Sequence, residues 1–210
     1  FPYTTLFRSY GRIVRAGAAA GADLVFFETF TDLYELKAAL LAAKENCTLP
    51  ILASMSFEAG GRTFTGCTVE SFAVTARGLG ADAVGINCSL GPKEIFPMAK
   101  RLAEALPGDF PVFVKPNAGL PRADGSGYDI TPQLFAMEMK PYRELKLFAA
   151  GGCCGTTPDF IRLLNGVFAD CRPGRAAHAM PSVLCSPMDF VTVDGITVVG
   201  ERINPTGKKR

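Results

Sequence analysis

From residue 10 onward, short dense apolar runs rich in Val, Ile, Phe and Leu alternate with amphipathic segments. Short branched and aromatic runs read as strands, and apolar positions spaced three and four apart read as helix, so the chain predicts repeated βα units. Strands are expected at residues 24–30, 51–57, 83–89, 112–118 and 147–153. The clearest helix covers residues 32–44, where Leu33, Leu36, Leu40 and Ala43 share one face and Asp32 with Glu35 forms a capping-box pattern. Three further helices are expected to open at Pro92, Pro132 and Pro158, because the first helical position needs no N–H.

Continuous apolar strands alternating with helices imply a parallel sheet with right-handed crossovers. A (β/α)8 barrel and an open doubly wound sheet both satisfy this pattern. In either, active sites form at the C-terminal ends of the strands. That edge here collects Glu28, Thr29, Ser54, Ser56, Asn87, Cys88, Asn117, Cys153 and Cys154. Beyond residue 169 the pattern weakens. Residues 170–189, with Pro173, Pro181 and Pro187, read as a linker, and FVTVDGITVV (190–199) reads as a hairpin turning at Asp194-Gly195.

Composition narrows the class. The chain has 210 residues, 48% hydrophobic and 20% charged, enough for a sizeable core. Its net charge of +2 is spread along the sequence, which excludes the basic field that nucleic-acid binding needs. No apolar run approaches the roughly 18 residues that cross a bilayer. Seven cysteines with no framework spacing point to a reducing, cytoplasmic setting. The opening FPYTTLFRS is what the nucleotides TTTCCCTACACGACGCTCTTCCGATCT, a sequencing-library adapter string, encode; residues 1–9 are therefore expected to be non-native and carry no weight in the fold reading.

The sharpest chemical feature is GGCCGTTP (151–158), two adjacent cysteines at a strand end between glycines that permit a bend. GINCSLGP (85–92) places Cys88 at another strand end, about two βα units earlier. Three thiolates around Zn²⁺ leave a fourth tetrahedral position open, as catalytic zinc sites do. On the residues alone, a catalytic metal, inert buried thiols and redox chemistry all remain open.

GINCSLGP, PNAGLP (116–121), GGCCGTTP and FETFTDLYELKAAL (27–40) together resemble the homocysteine S-methyltransferase family over residues 10–168. The resemblance implies an α/β fold, a (β/α)8 TIM barrel of which these strands are the fourth through the eighth. It implies Cys88, Cys153 and Cys154 as both zinc ligands and catalytic residues, Glu28 for the substrate ammonium group, and Asn117 as a fourth ligand or substrate hydrogen-bond partner. Without the first three strands, the sheet is expected to expose its edges. GERINPTGKK (200–209) resembles the start of the pterin-binding domain that follows the homocysteine domain in cobalamin-dependent methionine synthases, with Asn204 at its first strand end. The implied reaction is zinc-dependent methyl transfer to homocysteine, giving methionine. Methylcobalamin is the implied donor, recharged by methyltetrahydrofolate on adjacent domains of the parent chain.

Other residues carry blander readings. Asn87 and Thr156 are candidates to orient the ligands. Thr157 reads as a helix N-cap. GGRTFTG (60–66) is a glycine-punctuated loop, Lys115 has no Schiff-base context, His178 falls in the linker, and Cys47, Cys67, Cys171 and Cys185 are ordinary thiols. Two rival functions stand beside the first. One is a cobalamin-independent enzyme using betaine or S-methylmethionine; the other is a structural-zinc or dithiol redox protein.

Overall fold

The computed structural model describes residues 2–176 and 180–196. Its elements run α1 (Pro2–Ala19), β1 (Val25–Phe30), α2 (Leu33–Asn46), β2 (Ile51–Met55), α3 (Val69–Gly78), β3 (Ala83–Asn87), α4 (Pro92–Glu104), β4 (Val112–Lys115), α5 (Pro132–Met139), a 3₁₀ turn (Lys140–Leu145), β5 (Ala149–Ala150), α6 (Pro158–Phe168), β6 (Ser182–Cys185) and β7 (Phe190–Val193). Strands β1 to β5 form one parallel sheet in sequence order. That is five successive βα units of the barrel type, and all five expected strands are present.

Strand β1 ends at Phe30 as expected, whereas β2 to β5 stop two or three residues short of their expected C-terminal ends, because the chain leaves the ladder there to build turns. Thr29, Cys88 and Ser89, just beyond or at these ends, all have positive φ. Helices α4, α5 and α6 open at Pro92, Pro132 and Pro158 as the sequence predicts. Asp32 caps α2 by accepting from the Glu35 N–H at 2.8 Å. The Glu35 carboxylate does not return to Asp32; it accepts from the Tyr10 hydroxyl at 2.7 Å and so ties α2 to α1.

Two helices lie outside the sequence reading. In α3, Val69, Phe72, Ala73 and Ala76 form a buried stripe after the Thr68 cap, a short pattern between two glycine-rich loops. In α1, residues 2–9 continue the same helix as 10–19.

The strands alternate cleanly between two faces. Ile51, Ala53, Met55, Val84, Ile86, Val112 and Val114 are buried against the helices. The register places Phe26, Leu52, Ala83, Gly85 and Phe113 on the concave face, where the Phe26 and Phe113 rings meet edge to face at 5.4 Å. Among the described residues, β1 and β5 are unpaired on their outer sides, and Phe148 beside β5 is 57% exposed.

Strand β7 forms where a strand was expected, but it pairs antiparallel with β6 inside the segment read as a linker. The short turn at residues 186–189 supplies the reversal, with Ser186 N–H donating to the Asp189 carbonyl at 2.8 Å. Residues 197–200, which include most of the second half of the expected hairpin, lie outside the described residues. The β6–β7 pair rests on the barrel through Thr68 N–H to the Pro187 carbonyl at 3.1 Å and Arg62 to the Met188 carbonyl at 3.2 Å. Among the described residues no helix is long and apolar enough to cross a membrane.

Gly85 is the point where this packing is least forgiving. A Cβ there would stand 2.4 Å from the Phe113 ring and 2.5 Å from the Phe113 carbonyl oxygen, so the ring occupies space that any side chain at Gly85 would claim. Gly85→Ala is expected to cost about 1–3 kcal/mol through overpacking, read as a lowered urea midpoint. An unchanged midpoint would show that the concave face is loosely packed.

Candidate metal centre

The C-terminal edge of the sheet brings three sulfurs together. Cys88 directly follows β3, and Cys153 and Cys154 lie three and four residues beyond the end of β5; their Sγ atoms all lie within 4.8 Å of one another, with Cys88 and Cys154 3.7 Å apart. Among the described residues no other set of three or more His, Cys, Asp or Glu side chains is grouped this way. All three are free thiols, two half-buried and Cys154 exposed.

Backbone geometry holds the three cysteines at one place on the sheet edge. Cys88 adopts φ 66° and Ser89 φ 61°, a left-handed turn that β3 enters without a glycine. The Cys88 N–H donates to the Lys115 carbonyl at 3.1 Å, Cys153 N–H to the Pro116 carbonyl at 2.8 Å, and Ala118 N–H to the Cys154 carbonyl at 2.9 Å. Loops after β3, β4 and β5 are thus stitched to one another. Thr156 closes the last turn, its hydroxyl donating to the Cys153 carbonyl at 2.7 Å. Thr157 is the N-cap of α6 as expected, although its side chain makes no cap hydrogen bond.

Beneath the sulfurs lies a buried polar relay. Asn87, fully buried, donates from Nδ2 to the Thr29 hydroxyl at 2.7 Å and toward Cys153 Sγ at 3.6 Å, and accepts the Ser54 hydroxyl at 2.8 Å. Ser54 in turn accepts the Thr29 N–H at 3.2 Å. Thr29 is held at φ 64°, a conformation costly for a β-branched residue. Ser56 and Ser89 hydroxyls share a hydrogen bond at 2.5 Å alongside.

Asn117 stands at the site but engages the backbone. It is 5% exposed, and its side-chain oxygen accepts the Cys154 N–H at 3.0 Å while its own N–H donates to the Leu90 carbonyl at 2.9 Å. Glu28 and Lys115 form an ion pair on the concave face, with the Lys115 ammonium 5.1 Å from the Phe26 ring centre. GGRTFTG forms a turn stabilised by Gly61 N–H to the Glu58 carbonyl at 2.8 Å, and Thr65 donates to the Thr31 carbonyl at 2.9 Å. Cys67 is buried, which pushes its thiol up to about 12 and removes it from reactive chemistry. His178 and Asn204 lie outside the described residues.

Sequence reasoning missed Tyr128. It sits in a glycine-rich loop before α5, outside any apolar period, so no pattern marks it. Burial and then the Cys154 sulfur push its phenol up.

The donor set fits a thiophilic tetrahedral ion. Zn–S bonds of about 2.3 Å at tetrahedral angles place sulfurs about 3.8 Å apart. The 3.7 Å between Cys88 and Cys154 matches that spacing and is far beyond a disulfide bond of about 2 Å.

Known proteins resemble the chain over most of its length. The chain is 35% identical to the methionine synthase of Mycobacterium tuberculosis over 200 residues, and 34% identical to that of Mycobacterium leprae over 205. Each match covers 90% of this chain and 17% of the relative, so the chain spans about one sixth of the length of these proteins. Among solved structures, the apo homocysteine methyltransferase MmuM of Escherichia coli superposes with a TM-score of 0.61 at 22% identity, over 77% of this chain and 57% of that one. The carboxyl transferase domain of Rhizobium etli pyruvate carboxylase shares the fold at TM-score 0.51 and 16% identity, over 79% of this chain and 28% of that one. The profile of the homocysteine S-methyltransferase family matches residues 1–168, and the chain belongs to that family.

Proposed function

We propose that Cys88, Cys153 and Cys154 hold a zinc ion and that the site serves methyl transfer to the sulfur of homocysteine, giving methionine. The convergence of three free sulfurs within 4.8 Å of one another, one pair of them at the 3.7 Å spacing of a tetrahedral site, carries this reading. Family membership and the mycobacterial methionine synthase relatives support the substrate. The resemblance of GERINPTGKK (200–209) to the start of a pterin-binding domain supports methylcobalamin as donor, recharged by methyltetrahydrofolate on neighbouring domains, with Asn204 in the pterin-binding part.

Near neutral pH a free thiol of pKa about 8.5 is mostly protonated and a poor nucleophile. Zinc, when bound, supplies the positive charge that keeps a sulfur ligand ionised. This chain's own residues do the rest. Asn87 and Asn117 orient the cysteines, one through the Cys153 sulfur and the other through the Cys154 N–H. The exposed position of Cys154 leaves the sulfurs open to an approach from solvent.

Glu28 receives the substrate ammonium in this reading. In its absence Lys115 pairs with Glu28, and the two charges together complement the ammonium and carboxylate of an amino acid. The substrate ammonium displaces Lys115, whose four-carbon stem lets it follow the carboxylate.

Zinc content tests the ligand assignment. Wild-type chain is expected to retain one zinc per chain after gel filtration, and Cys153→Ala to lose it, measured by elemental analysis; full retention in the variant removes Cys153 from the ligand set. Asn87→Ala strands the fully buried Ser54 hydroxyl, which is expected to cost about 1–3 kcal/mol in urea unfolding. The loosened Cys153 is expected to weaken zinc about 10- to 100-fold in a chelator competition. Unchanged zinc affinity would limit Asn87 to a stabilising role.

A further inference from the structure

Strand β1 carries one residue more than its neighbour near the edge that holds the sulfurs. Phe27 pairs with Ala53 and Phe30 with Met55, so three steps along β1 match two along β2. Strand side chains alternate between faces, and an extra residue resets the alternation. Phe30 therefore lies on the side of Phe27, and both rings meet the Tyr10 ring of α1, at 5.7 Å between centres for Phe27 and 5.9 Å for Phe30. Glu28 and Thr29, the two residues between them, are both left exposed.

Thr29 sits in this bulge at φ 64°, in the left-handed region where glycine fits without steric cost. A glycine would still supply the N–H that donates to the Ser54 hydroxyl at 3.2 Å. It would lack the hydroxyl, which accepts one N–H of the Asn87 amide at 2.7 Å while that amide also donates toward Cys153 Sγ at 3.6 Å. Ser54 donates to the Asn87 oxygen at 2.8 Å, so the amide is held at both ends with its nitrogen toward the sulfur. The strained threonine thus adjoins both halves of the site. Its neighbour Glu28 forms the ion pair with Lys115, and its hydroxyl leads through Asn87 to Cys153.

We infer that Thr29 is a positioning residue that fixes the distance between Glu28 and the three sulfurs, and by that distance selects the length of the amino acid; this rests on the zinc and homocysteine reading above. Homocysteine carries its ammonium and its thiol at opposite ends of a short chain. With the ammonium on Glu28 and the sulfur beside the cysteines, the gap between the two anchors decides how many methylenes the substrate needs. Cysteine has one fewer, and in a fixed site one methylene is worth about 10- to 200-fold. Without the hydroxyl the bulge loses its tie to Asn87, and the anchors are free to close on the shorter substrate. A β-branched residue at positive φ is the cost of keeping that tie.

The test uses the full chain loaded with cobalt(II), whose sulfur-to-metal charge-transfer band reports an added thiolate, titrated with homocysteine and with cysteine. Thr29→Gly removes the hydroxyl and relieves the backbone; Thr29→Ser keeps the hydroxyl. Wild type is expected to prefer homocysteine at least about tenfold, and Thr29→Gly to lower that preference about tenfold. Thr29→Gly is also expected to weaken zinc about tenfold in chelator competition, with a metal-free urea midpoint at or above that of wild type. Thr29→Ser is expected to match wild type in preference and in zinc affinity.

A wild-type chain that takes up no metal, or whose band homocysteine leaves unmoved, overturns the reading of the site itself. If wild type binds metal and homocysteine but does not discriminate against cysteine, or if Thr29→Gly keeps the full preference, the role of Thr29 is overturned and the site reading stands. A preference lost equally in Thr29→Ser removes the hydroxyl as its source and overturns that role too. So does a loss in Thr29→Gly that is matched by a fall in metal-free stability, which reduces Thr29 to a structural part.

Discussion

A buried carboxamide has to find its hydrogen-bond partners inside the protein, because an unmade bond there costs as much as several made ones contribute. Asn87 finds its partners on Thr29 of β1, on Ser54 of β2 and on Cys153 beyond β5. One side chain therefore fixes the relative positions of three strand ends. The C-terminal edge of the sheet can hold its shape only while those bonds are made, and the cysteines are placed by that edge. The arrangement couples fold and site: strand order brings Asn87 near its partners, and its partners hold the sulfurs at metal-binding spacing.

The same edge is where the backbone departs from ordinary conformations. Thr29, Cys88 and Ser89 adopt positive φ without being glycine. Each such residue costs about 1–3 kcal/mol and persists only where its surroundings over-determine it. Here they do. The Thr29 hydroxyl and N–H are both engaged in the relay, the Cys88 N–H reaches the Lys115 carbonyl, and Ser89 is bonded to Ser56. The turn at Cys88 bends the chain so that its sulfur faces Cys154.

Much of this was legible in the sequence. The five apolar runs became five parallel strands because branched residues buried on one side and alternating on the other admit little else. Cys88, Cys153 and Cys154 could be paired because each stood at a strand end, and parallel strands send all such ends to one edge. Three things escaped. The pairing of β7 with β6 was hidden because Asp194-Gly195 offered a turn at least as good by local rules, while the turn used, at residues 186–189, is built from a Ser–Asp exchange. Asn117 looked like a free amide oxygen; only the folded loop shows that oxygen taken by the Cys154 N–H. The Tyr128 ring packs on Gly155, a contact across 27 positions that no local pattern encodes.

The central claim is that the three cysteines present a metal with room for the sulfur of homocysteine. Zinc-edge X-ray absorption on the loaded chain, with and without homocysteine, tests it most directly. The account predicts three sulfur neighbours without the substrate and four with it. A sulfur count that homocysteine leaves unchanged, or four protein sulfurs from the start, would contradict it.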